Sequence, residues 1–330
     1  MTSRGEFLSS LTAGAAIACA PPAFSTSIAK PHVVRRGDRV GLVSPASPLD
    51  PGELARGVAH IRSLGLEPVV GRYADTHYGY LAGSDEERAD DFNRMARDSR
   101  IRAIVALRGG YGTMRILDHI DYDALRADPK VVMGFSDMTA LLNAISRRSN
   151  IITFHGPVAS RDTSFNAADR AMIEDAWMST KPIGMLRAPS AQRLRGGRAR
   201  GPLAGGNLSL IASLTGTPYA IAASGSLLVI EETEEEPYRI DRMLTQLRLA
   251  GSLSDAHGIV VGRFTDCDAK GASLTIDQVL ESTVIRAGRP AIAGVPVGHF
   301  DEQWVLPIGL PAELDAETRS LHIDEAAVAS

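Results

Sequence analysis

The stretch VVMGFSDM, residues 131–138, decides the fold class of this chain. Its first three residues form an apolar run of strand length, and Gly134 ends that run. From Met138 the pattern becomes helical, and we expect the helix to extend to Ile145. Ser136 therefore lies on a turn from a strand into a helix, an arrangement typical of α/β proteins.

The same alternation of strands and helices continues toward both ends of the chain. Before and after the stretch, apolar runs predict further strands at residues 39–43, 68–70, 101–107 and 151–154. We expect one helix to be capped by Asp50, with Pro51 at its first position. A second helix should begin with a capping box of Ser84 and Glu87. Strands that are apolar throughout indicate a parallel sheet covered on both faces, which binds ligands at the carboxyl ends of its strands.

The chain divides into four parts by pattern. We predict a signal peptide at residues 1–29, an N-terminal α/β domain at 30–165, a linker at 166–204 and a smaller second domain at 205–330. The linker is predicted where Pro, Gly, Ser and Arg are scattered and the apolar pattern weakens. The second domain again alternates short apolar strands with helices.

Composition excludes several classes of protein. The 330 residues include 35 Lys and Arg against 39 Asp and Glu, and a net charge of -4 gives no reason to expect nucleic acid binding. The two cysteines, Cys19 and Cys267, exclude a disulfide framework and a cysteine-rich metal site. No metal-ligand spacing, Walker A run or dinucleotide fingerprint is present, so we expect neither a metal nor a cofactor.

Residues 1–29 have the pattern of a secretory leader. Arg4 supplies the positive charge, and the apolar run at residues 7–20 is too short to span a bilayer. The run before it is similar to a twin-arginine signal in which Gly5 replaces one arginine. We therefore expect export, with the periplasm as destination, and keep a cytoplasmic location as the alternative.

Ser136 is the leading candidate for a nucleophile. A sharp turn from strand to helix lifts a serine hydroxyl out of a sheet, and the N–H groups of the helix start face a developing oxyanion. The run is Gly-x-Ser-Asp rather than the Gly-x-Ser-x-Gly of esterases. The alternative is that Ser136 only caps the helix.

A nucleophilic serine needs a base, and the base needs an acid that orients it. His299 and His155 both close apolar runs of strand type, and the residues alone do not choose between them. Glu231 and Glu232 both follow a strand directly. The glycines at residues 108–112, RGGYG, follow another strand and could supply oxyanion N–H groups or cradle a phosphate.

These motifs together resemble the LD-carboxypeptidase family, the S66 serine peptidases. The similarity runs from Gly37 to Leu310, nearly the whole mature chain. It is carried by SPAS (44–47), GYLAG (79–83), RGGYG (108–112), GFSD (134–137), FHGP (154–157), GGNL (205–208), YRIDRML (238–244) and GH (298–299). The family usually has Tyr where Phe135 stands.

The resemblance implies a Ser-Glu-His triad of Ser136, Glu231 and His299, with Glu232 as the substitute if the strand register differs by one. It implies Asp137 and Gly110 as backbone oxyanion donors. It also implies an α/β sandwich domain with the serine, a smaller β-rich C-terminal domain with the acid and histidine, and an active site in the cleft between them.

The implied activity is release of the terminal D-alanine from murein tetrapeptide through an acyl-enzyme, without a cofactor. Arg108 is a candidate for binding the free carboxylate of the substrate, or else an ion pair that holds the glycine loop. One alternative is an amidase similar to the microcin-immunity proteins, which cleave peptidyl-nucleotide conjugates, with Trp304 as a stacking residue. Another is an inactive ligand-binding module. The resemblance also suggests a homodimer.

Overall fold

A computed structural model describes residues 28–330, which form two mixed β-sheets with helices packed against them. The first sheet has the strand order β12-β5-β4-β3-β1-β2. Its first five strands along the chain are parallel, and the sixth, which comes from the far end of the chain, is antiparallel to β5. The strands are β1 (Arg39–Val43), β2 (Glu67–Val70), β3 (Ile101–Ala106), β4 (Val131–Gly134), β5 (Thr153–His155) and β12 (Leu306–Ile308).

Five helices belong to this half of the chain: α1 (Glu53–Ser63), α2 (Asp85–Arg97), α3 (Tyr122–Ala127), α4 (Met138–Ser149) and α5 (Ala167–Trp177). Alternate residues of β3 enter two separate apolar clusters, one with α1 and α5 and one with α2 and α4. The sheet is thus covered on both faces, which explains its continuous apolar runs. The parallel-rich sandwich predicted for this half is confirmed.

The second sheet is larger and has the order β6-β14-β13-β8-β9-β10-β11-β7. Strands β8 to β11 are parallel, and the others pair antiparallel at the two sides. Its strands are β6 (Gly184–Arg187), β7 (Gln192–Arg195), β8 (Arg198–Asn207), β9 (Leu227–Thr233), β10 (Gly258–Thr265), β11 (Ala291–Ala293), β13 (Pro311–Asp315) and β14 (Ser320–Ile323). Its helices are α6 (Leu208–Leu214), α7 (Pro237–Leu249), α8 (Ser252–Asp255) and α9 (Ile276–Thr283), and 3-10 turns occur at Thr113–His119 and Ile285–Ala287.

Two local predictions need correction. The segment 166–204, predicted as a linker, contains α5, β6, β7 and the start of β8. Its apolar pattern is weak because β6 and β7 are the edge strands of the second sheet and expose most of their side chains. Asp50 does not cap α1, which begins at Glu53 after Gly52, because the Asp50 carboxylate pairs with Arg108 instead. The capping box of Ser84 and Glu87 is confirmed.

The two sheets are joined close to residues 131–138. Asn143 of α4 accepts a hydrogen bond from the Gly205 N–H at 3.0 Å and donates to the Gly205 carbonyl at 2.9 Å. Thr139, also on α4, accepts from the Asn207 N–H at 2.9 Å. These bonds fix the helix that follows Ser136 against β8 of the second sheet.

Most of the predicted leader, residues 1–27, lies outside the described residues. The last part is described: the Ala29 N–H donates to the Asn150 carbonyl at 2.9 Å, and its carbonyl accepts from the Ile152 N–H at 3.0 Å. Within residues 28–330, no helix is both long and apolar enough to cross a membrane.

Candidate active site

Ser136 lies on a strained turn between β4 and α4. Its φ angle is 61°, in the left-handed region that residues other than glycine rarely adopt. The first residue of α4 is Met138, and Asp137 is its N-cap. The Ser136 hydroxyl does not cap the helix but is directed to a histidine of the other half of the chain. Strain of this kind persists only where surrounding structure holds it, and it is common at reactive residues.

That histidine is His299, and it connects Ser136 to Glu231. Its Nε2 lies 3.0 Å from the Ser136 Oγ, and its Nδ1 lies 2.8 Å from the Glu231 Oε2. Because a carboxylate only accepts, Nδ1 carries the proton of the neutral ring and Nε2 is free to accept the proton of the serine. Glu231 is fully buried, whereas 21% of the His299 side chain is exposed. A hydroxyl, an imidazole and a carboxylate in this order can carry out nucleophilic acyl transfer.

The second sheet positions the acid and the histidine. Glu231 lies in β9, opposite Asn207 of β8. His299 follows Gly298, whose φ of 129° brings the loop close to β9. A Cβ on Gly298 would lie 3.1 Å from the Glu231 Oε2, so a larger residue would crowd the carboxylate that His299 uses.

Glu232 and His155, the alternatives for acid and base, have other surroundings. The Glu232 carboxylate accepts from the Asn207 amide at 2.8 Å, the Ser209 N–H at 2.8 Å and the Ser209 hydroxyl at 2.7 Å. Burial raises the pKa of Glu232, and these hydrogen bonds oppose the rise. His155 is fully buried and has no hydrogen bond to Ser136. The structure therefore brings Glu231 and His299, rather than these neighbours, to the serine.

The glycine loop at residues 108–112 packs against the serine turn. A Cβ on Gly109 would lie 2.9 Å from the Ser136 Cβ, so the close approach requires glycine. Ser47 holds the loop from the other side, because its Oγ accepts from the Tyr111 N–H at 3.1 Å. Gly110 therefore lies in a loop that touches Ser136 through Gly109.

Asp137 joins this loop through its side chain. Its buried carboxylate accepts from the Thr113 N–H at 2.7 Å, and its carbonyl accepts from the Thr113 hydroxyl. Burial raises the pKa of Asp137, and the bonds from Thr113 oppose the rise. Within residues 28–330, the backbone N–H groups of Gly110 and Asp137 donate to no other protein atom. Neither N–H group is therefore engaged by another group in the described part of the chain.

Comparison with known proteins identifies the family. A model of the LD-carboxypeptidase N-terminal domain matches residues 40–156, and a model of the C-terminal domain matches residues 200–314. This chain belongs to the LD-carboxypeptidase family. It is therefore a peptidase of the S66 type, as the motifs suggested.

Relatives extend over nearly all of the chain. The probable murein peptide carboxypeptidase of Bacillus subtilis (strain 168) is 39% identical over 89% of this chain and 94% of its own length. The crystal structure of muramoyltetrapeptide carboxypeptidase from Oxalobacter formigenes superposes with a TM-score of 0.78 at 27% identity, covering 88% of this chain and all of that one.

A third relative has a different named role. The microcin C7 self-immunity protein MccF of Escherichia coli is 25% identical over 88% of this chain and 94% of its own length. A solved structure of MccF superposes with a TM-score of 0.84 at 22% identity, covering 91% of this chain and 99% of that one, and shows the shared fold. The two-domain α/β fold of LD-carboxypeptidases is thus confirmed.

Arg108, the candidate for binding the substrate carboxylate, is engaged with two carboxylates of the protein. Its Nη1 lies 2.6 Å from the Asp50 Oδ2 and 3.2 Å from the Glu53 Oε2. Burial lowers the pKa of Arg108, but the two carboxylates outweigh burial and raise it. This geometry corresponds to the second role considered from the sequence, an ion pair that holds the glycine loop.

Arg88 is a residue of the site that the sequence analysis missed. It lies on the buried side of α2, and its guanidinium donates to the carbonyls of Pro45, Gly83 and Gly112. Each of these residues belongs to a different motif loop, so one buried side chain ties three loops together. The sequence offered one sign of this role, since Arg88 stands at a position of α2 where the amphipathic pattern would place an apolar residue.

Two remaining predictions concern metals and thiols. In the described part of the chain, no group of three or more His, Cys, Asp or Glu side chains is placed to hold a metal ion. Cys267 is buried with a free thiol, and burial raises its pKa to about 11. Such a thiol is mostly protonated at neutral pH and is a poor nucleophile.

Proposed function

We propose that this protein is a serine hydrolase that releases the terminal D-alanine from murein tetrapeptide. The observation that carries the proposal is the position of His299 between the Ser136 Oγ, at 3.0 Å, and the Glu231 Oε2, at 2.8 Å. The names of the Bacillus and Oxalobacter relatives support a murein peptide as the substrate.

In the first step, Ser136 attacks the carbonyl that joins the L-centre of the diamino acid to D-alanine. The bond from Oγ to the carbonyl carbon forms while the proton of the hydroxyl passes to the His299 Nε2. Glu231 accepts a hydrogen bond from the His299 Nδ1–H and stabilises the positively charged ring that results. Because the Glu231 side chain is fully buried, water screens the attraction between its charge and His299 only weakly.

The negative charge that develops on the substrate oxygen rests on the backbone N–H groups of Asp137 and Gly110. The Asp137 N–H follows the nucleophile directly at the start of α4. The Gly110 N–H belongs to the loop held by Ser47. Donors placed in advance stabilise the transition state without reorganisation.

Collapse of the intermediate breaks the bond from carbon to nitrogen. His299 gives its proton to the leaving D-alanine, and the tripeptide remains as an ester on Ser136. A water molecule then adds to the ester while His299 takes its proton. Return of that proton to the Ser136 Oγ releases the tripeptide and restores the enzyme.

The test is incubation of the purified protein with murein tetrapeptide and detection of the products by mass spectrometry. We expect tripeptide and D-alanine in equal amounts from the wild type, and none above background from Ser136→Ala. His257→Gln is a matched histidine control, because His257 is exposed and, among residues 28–330, its ring hydrogen-bonds only to the Arg200 carbonyl. Full activity of Ser136→Ala would refute the proposal.

A microcin-immunity-like amidase is the second candidate, supported by the similarity to MccF. Trp304, the aromatic residue considered for stacking on a nucleotide, is 8% exposed and packs in the core, which weakens this candidate. Turnover of a peptidyl-nucleotide conjugate should therefore be slower than turnover of the tetrapeptide at equal concentration. The reverse order would favour the amidase.

An inactive binding module would fail to react with a serine-directed fluorophosphonate.

Export and self-association complete the proposal. We propose that the part of the predicted leader before Ile28 directs the protein out of the cytoplasm, because Ala29 is hydrogen-bonded to Asn150 and Ile152 of the folded domain. The substrate is then a peptide of the cell envelope. N-terminal sequencing of the protein isolated from its host should find the leader removed, and an intact Met1 would contradict export.

Sedimentation of the purified protein should find the homodimer that the resemblance suggested, and a monomer would contradict it.

A further inference from the structure

The guanidinium of Arg108 is already occupied by carboxylates of the protein itself. Its Nη1 lies 2.6 Å from the Asp50 Oδ2 and 3.2 Å from the Glu53 Oε2. Release of a terminal D-alanine nevertheless requires a group that distinguishes a free carboxylate from an internal peptide bond. Arginine binds carboxylates strongly through charge-assisted hydrogen bonds. The substrate carboxylate therefore requires another cation close to the bond that is cleaved.

The proposed mechanism fixes the side of the site on which that carboxylate lies. His299 gives its proton to the nitrogen of the leaving D-alanine, so this nitrogen must approach the His299 Nε2. In D-alanine, a single carbon atom separates the nitrogen from the carboxylate. The carboxylate thus lies on the side of His299, whereas Arg108 belongs to the glycine loop, to which the mechanism assigns an oxyanion donor.

Arg263 of β10 lies directly beside the loop that carries His299. Its N–H donates to the Val297 carbonyl at 2.9 Å, and its carbonyl oxygen would lie 3.3 Å from a Cβ on Gly298. Its guanidinium carbon lies 4.2 Å from the centroid of the Phe300 ring, and Phe300 follows His299 directly. Backbone and side-chain contacts thus hold Arg263 next to the base of the triad.

The same strand passes the acid of the triad. A Cβ on Gly262 would lie 3.1 Å from the Glu231 Cβ, and β10 runs parallel to β9, which carries Glu231. The first five residues of β10 are buried, and Arg263 is the first exposed residue of the strand. It emerges toward the carboxyl end of a parallel strand, where sheets of this kind bind ligands.

The charge of Arg263 is not neutralised within the part of the chain that the structure describes. Among residues 28–330, no carboxylate forms an ion pair with its guanidinium, and its side-chain contact is the ring of Phe300. Asp301, the acid closest to His299 along the chain, is engaged instead with Arg161 and Thr163. An aromatic ring holds a guanidinium in place while the guanidinium keeps its charge and its N–H donors.

We propose that Arg263 is a substrate-binding residue that binds the free carboxylate of the terminal D-alanine. The N–H groups of its planar guanidinium donate to the two carboxylate oxygens, while Phe300 supports the guanidinium. No bond is made or broken at Arg263. The inference rests on the proposed function and deepens it, because it names the residue that restricts cleavage to the end of a peptide.

The experiment compares two substrates that differ only in the charge of the last residue. They are murein tetrapeptide and the same tetrapeptide with its C-terminal carboxylate converted to an amide. The wild type should cleave the free acid with a kcat/KM about 10- to 100-fold higher, the effect of hydrogen bonds between charged groups. Arg263→Gln should lose this preference through a higher KM for the free acid, with cleavage of the amide unchanged. Arg263→Lys should keep part of it, since lysine keeps the charge but not the planar fork.

Arg72→Gln is the matched control. Arg72 is also exposed, and its guanidinium carbon also lies over an aromatic ring, 5.9 Å from the centroid of Tyr73. It follows β2, which is three positions away from β4 at the edge of the first sheet. This variant should retain the full preference for the free acid. Arg108→Gln should retain the preference as well, even if its kcat falls, and loss of the preference there would overturn the inference.

The outcomes separate this inference from the proposed function. Equal losses on both substrates in Arg263→Gln would mean that Arg263 only supports the His299 loop, and would overturn the inference alone. So would a wild type that cleaves both substrates equally. Cleavage of neither substrate would refute the proposed function and this inference with it.

A second measurement tests whether Arg263→Gln leaves the triad intact. An uncharged alkyl fluorophosphonate has no carboxylate for Arg263 to bind, so it should label Ser136 at the same rate in the wild type and in Arg263→Gln. Clearly slower labelling of the variant would show that Arg263 acts by placing His299, and would contradict a role in binding the carboxylate.

Discussion

The Ser136 Oγ and the His299 Nε2 are 3.0 Å apart, yet different kinds of structure hold them. Ser136 owes its place to one continuous segment, in which β4, a turn with a φ of 61° and α4 follow one another. His299 and Glu231 are separated by 68 positions, and β9 and a separate loop bring them together. The position of the nucleophile thus follows from a local turn of the backbone, whereas the position of the acid–base pair depends on correct assembly of the second sheet.

The largest expected effect tests whether the two halves of the site act as one unit. Ser136→Ala and His299→Ala should each lower kcat/KM by at least about 10⁴-fold, and the double variant should lose little more. Steady-state kinetics of the three variants on one substrate provides the check. Losses that multiply in the double variant would show that the two residues act independently.

A smaller effect should distinguish the neighbours Glu231 and Glu232. Glu231→Gln should lower kcat by about 10²- to 10⁴-fold, because the amide favours the wrong tautomer of His299. Glu232→Gln should mainly lower the free energy of unfolding, by about 1–3 kcal/mol, since a side-chain amide cannot accept all the hydrogen bonds from Asn207 and Ser209. Kinetics and denaturant unfolding of both variants separate the two effects. The opposite pattern would mean that the strand register places Glu232 on the histidine.

The smallest effect concerns the backbone of the glycine loop. In Gly110→Ala, the new Cβ would meet the Ser47 Oγ at 2.2 Å with φ at 104°. We expect the strain to cost about 1–3 kcal/mol of unfolding free energy. We also expect kcat to fall, by less than in the variants above, because the N–H at Gly110 moves. Gly271→Ala is the matched control, since its Cβ would meet nothing within 4 Å. Equal behaviour of the two variants would contradict a specific role for the loop.

Predictions that depend on adjacent residues agree with the structure more often than those that depend on distant ones. The turn at Ser136 and the capping box of Ser84 and Glu87 follow from short stretches of sequence, and both are present. Asp50 was predicted to be a helix cap because its neighbours fit that role. It instead pairs with Arg108, 58 positions away, which no local pattern reveals.

The choice of base follows the same rule. His155 and His299 could not be separated by their own residues, since both close apolar runs, and only the family resemblance favoured His299. In the structure, His155 ends β5 and is fully buried, while His299 lies in a loop that reaches Ser136. Burial and direction of a side chain come from packing, so they lie beyond the information in a few neighbouring residues.

The sequence by itself determined the alternation of strands and helices, the two-domain α/β class and the turn that carries Ser136. These features depend on periodicity and on the conformational preferences of neighbouring residues, which act over a few positions. Only the tertiary structure decided that Glu231 rather than Glu232 meets His299, that Arg108 pairs with Asp50 and Glu53, and that Arg88 ties three loops together. Hydrogen bonds and ion pairs between distant segments depend on sheet register and burial, and these exist only once the chain has folded.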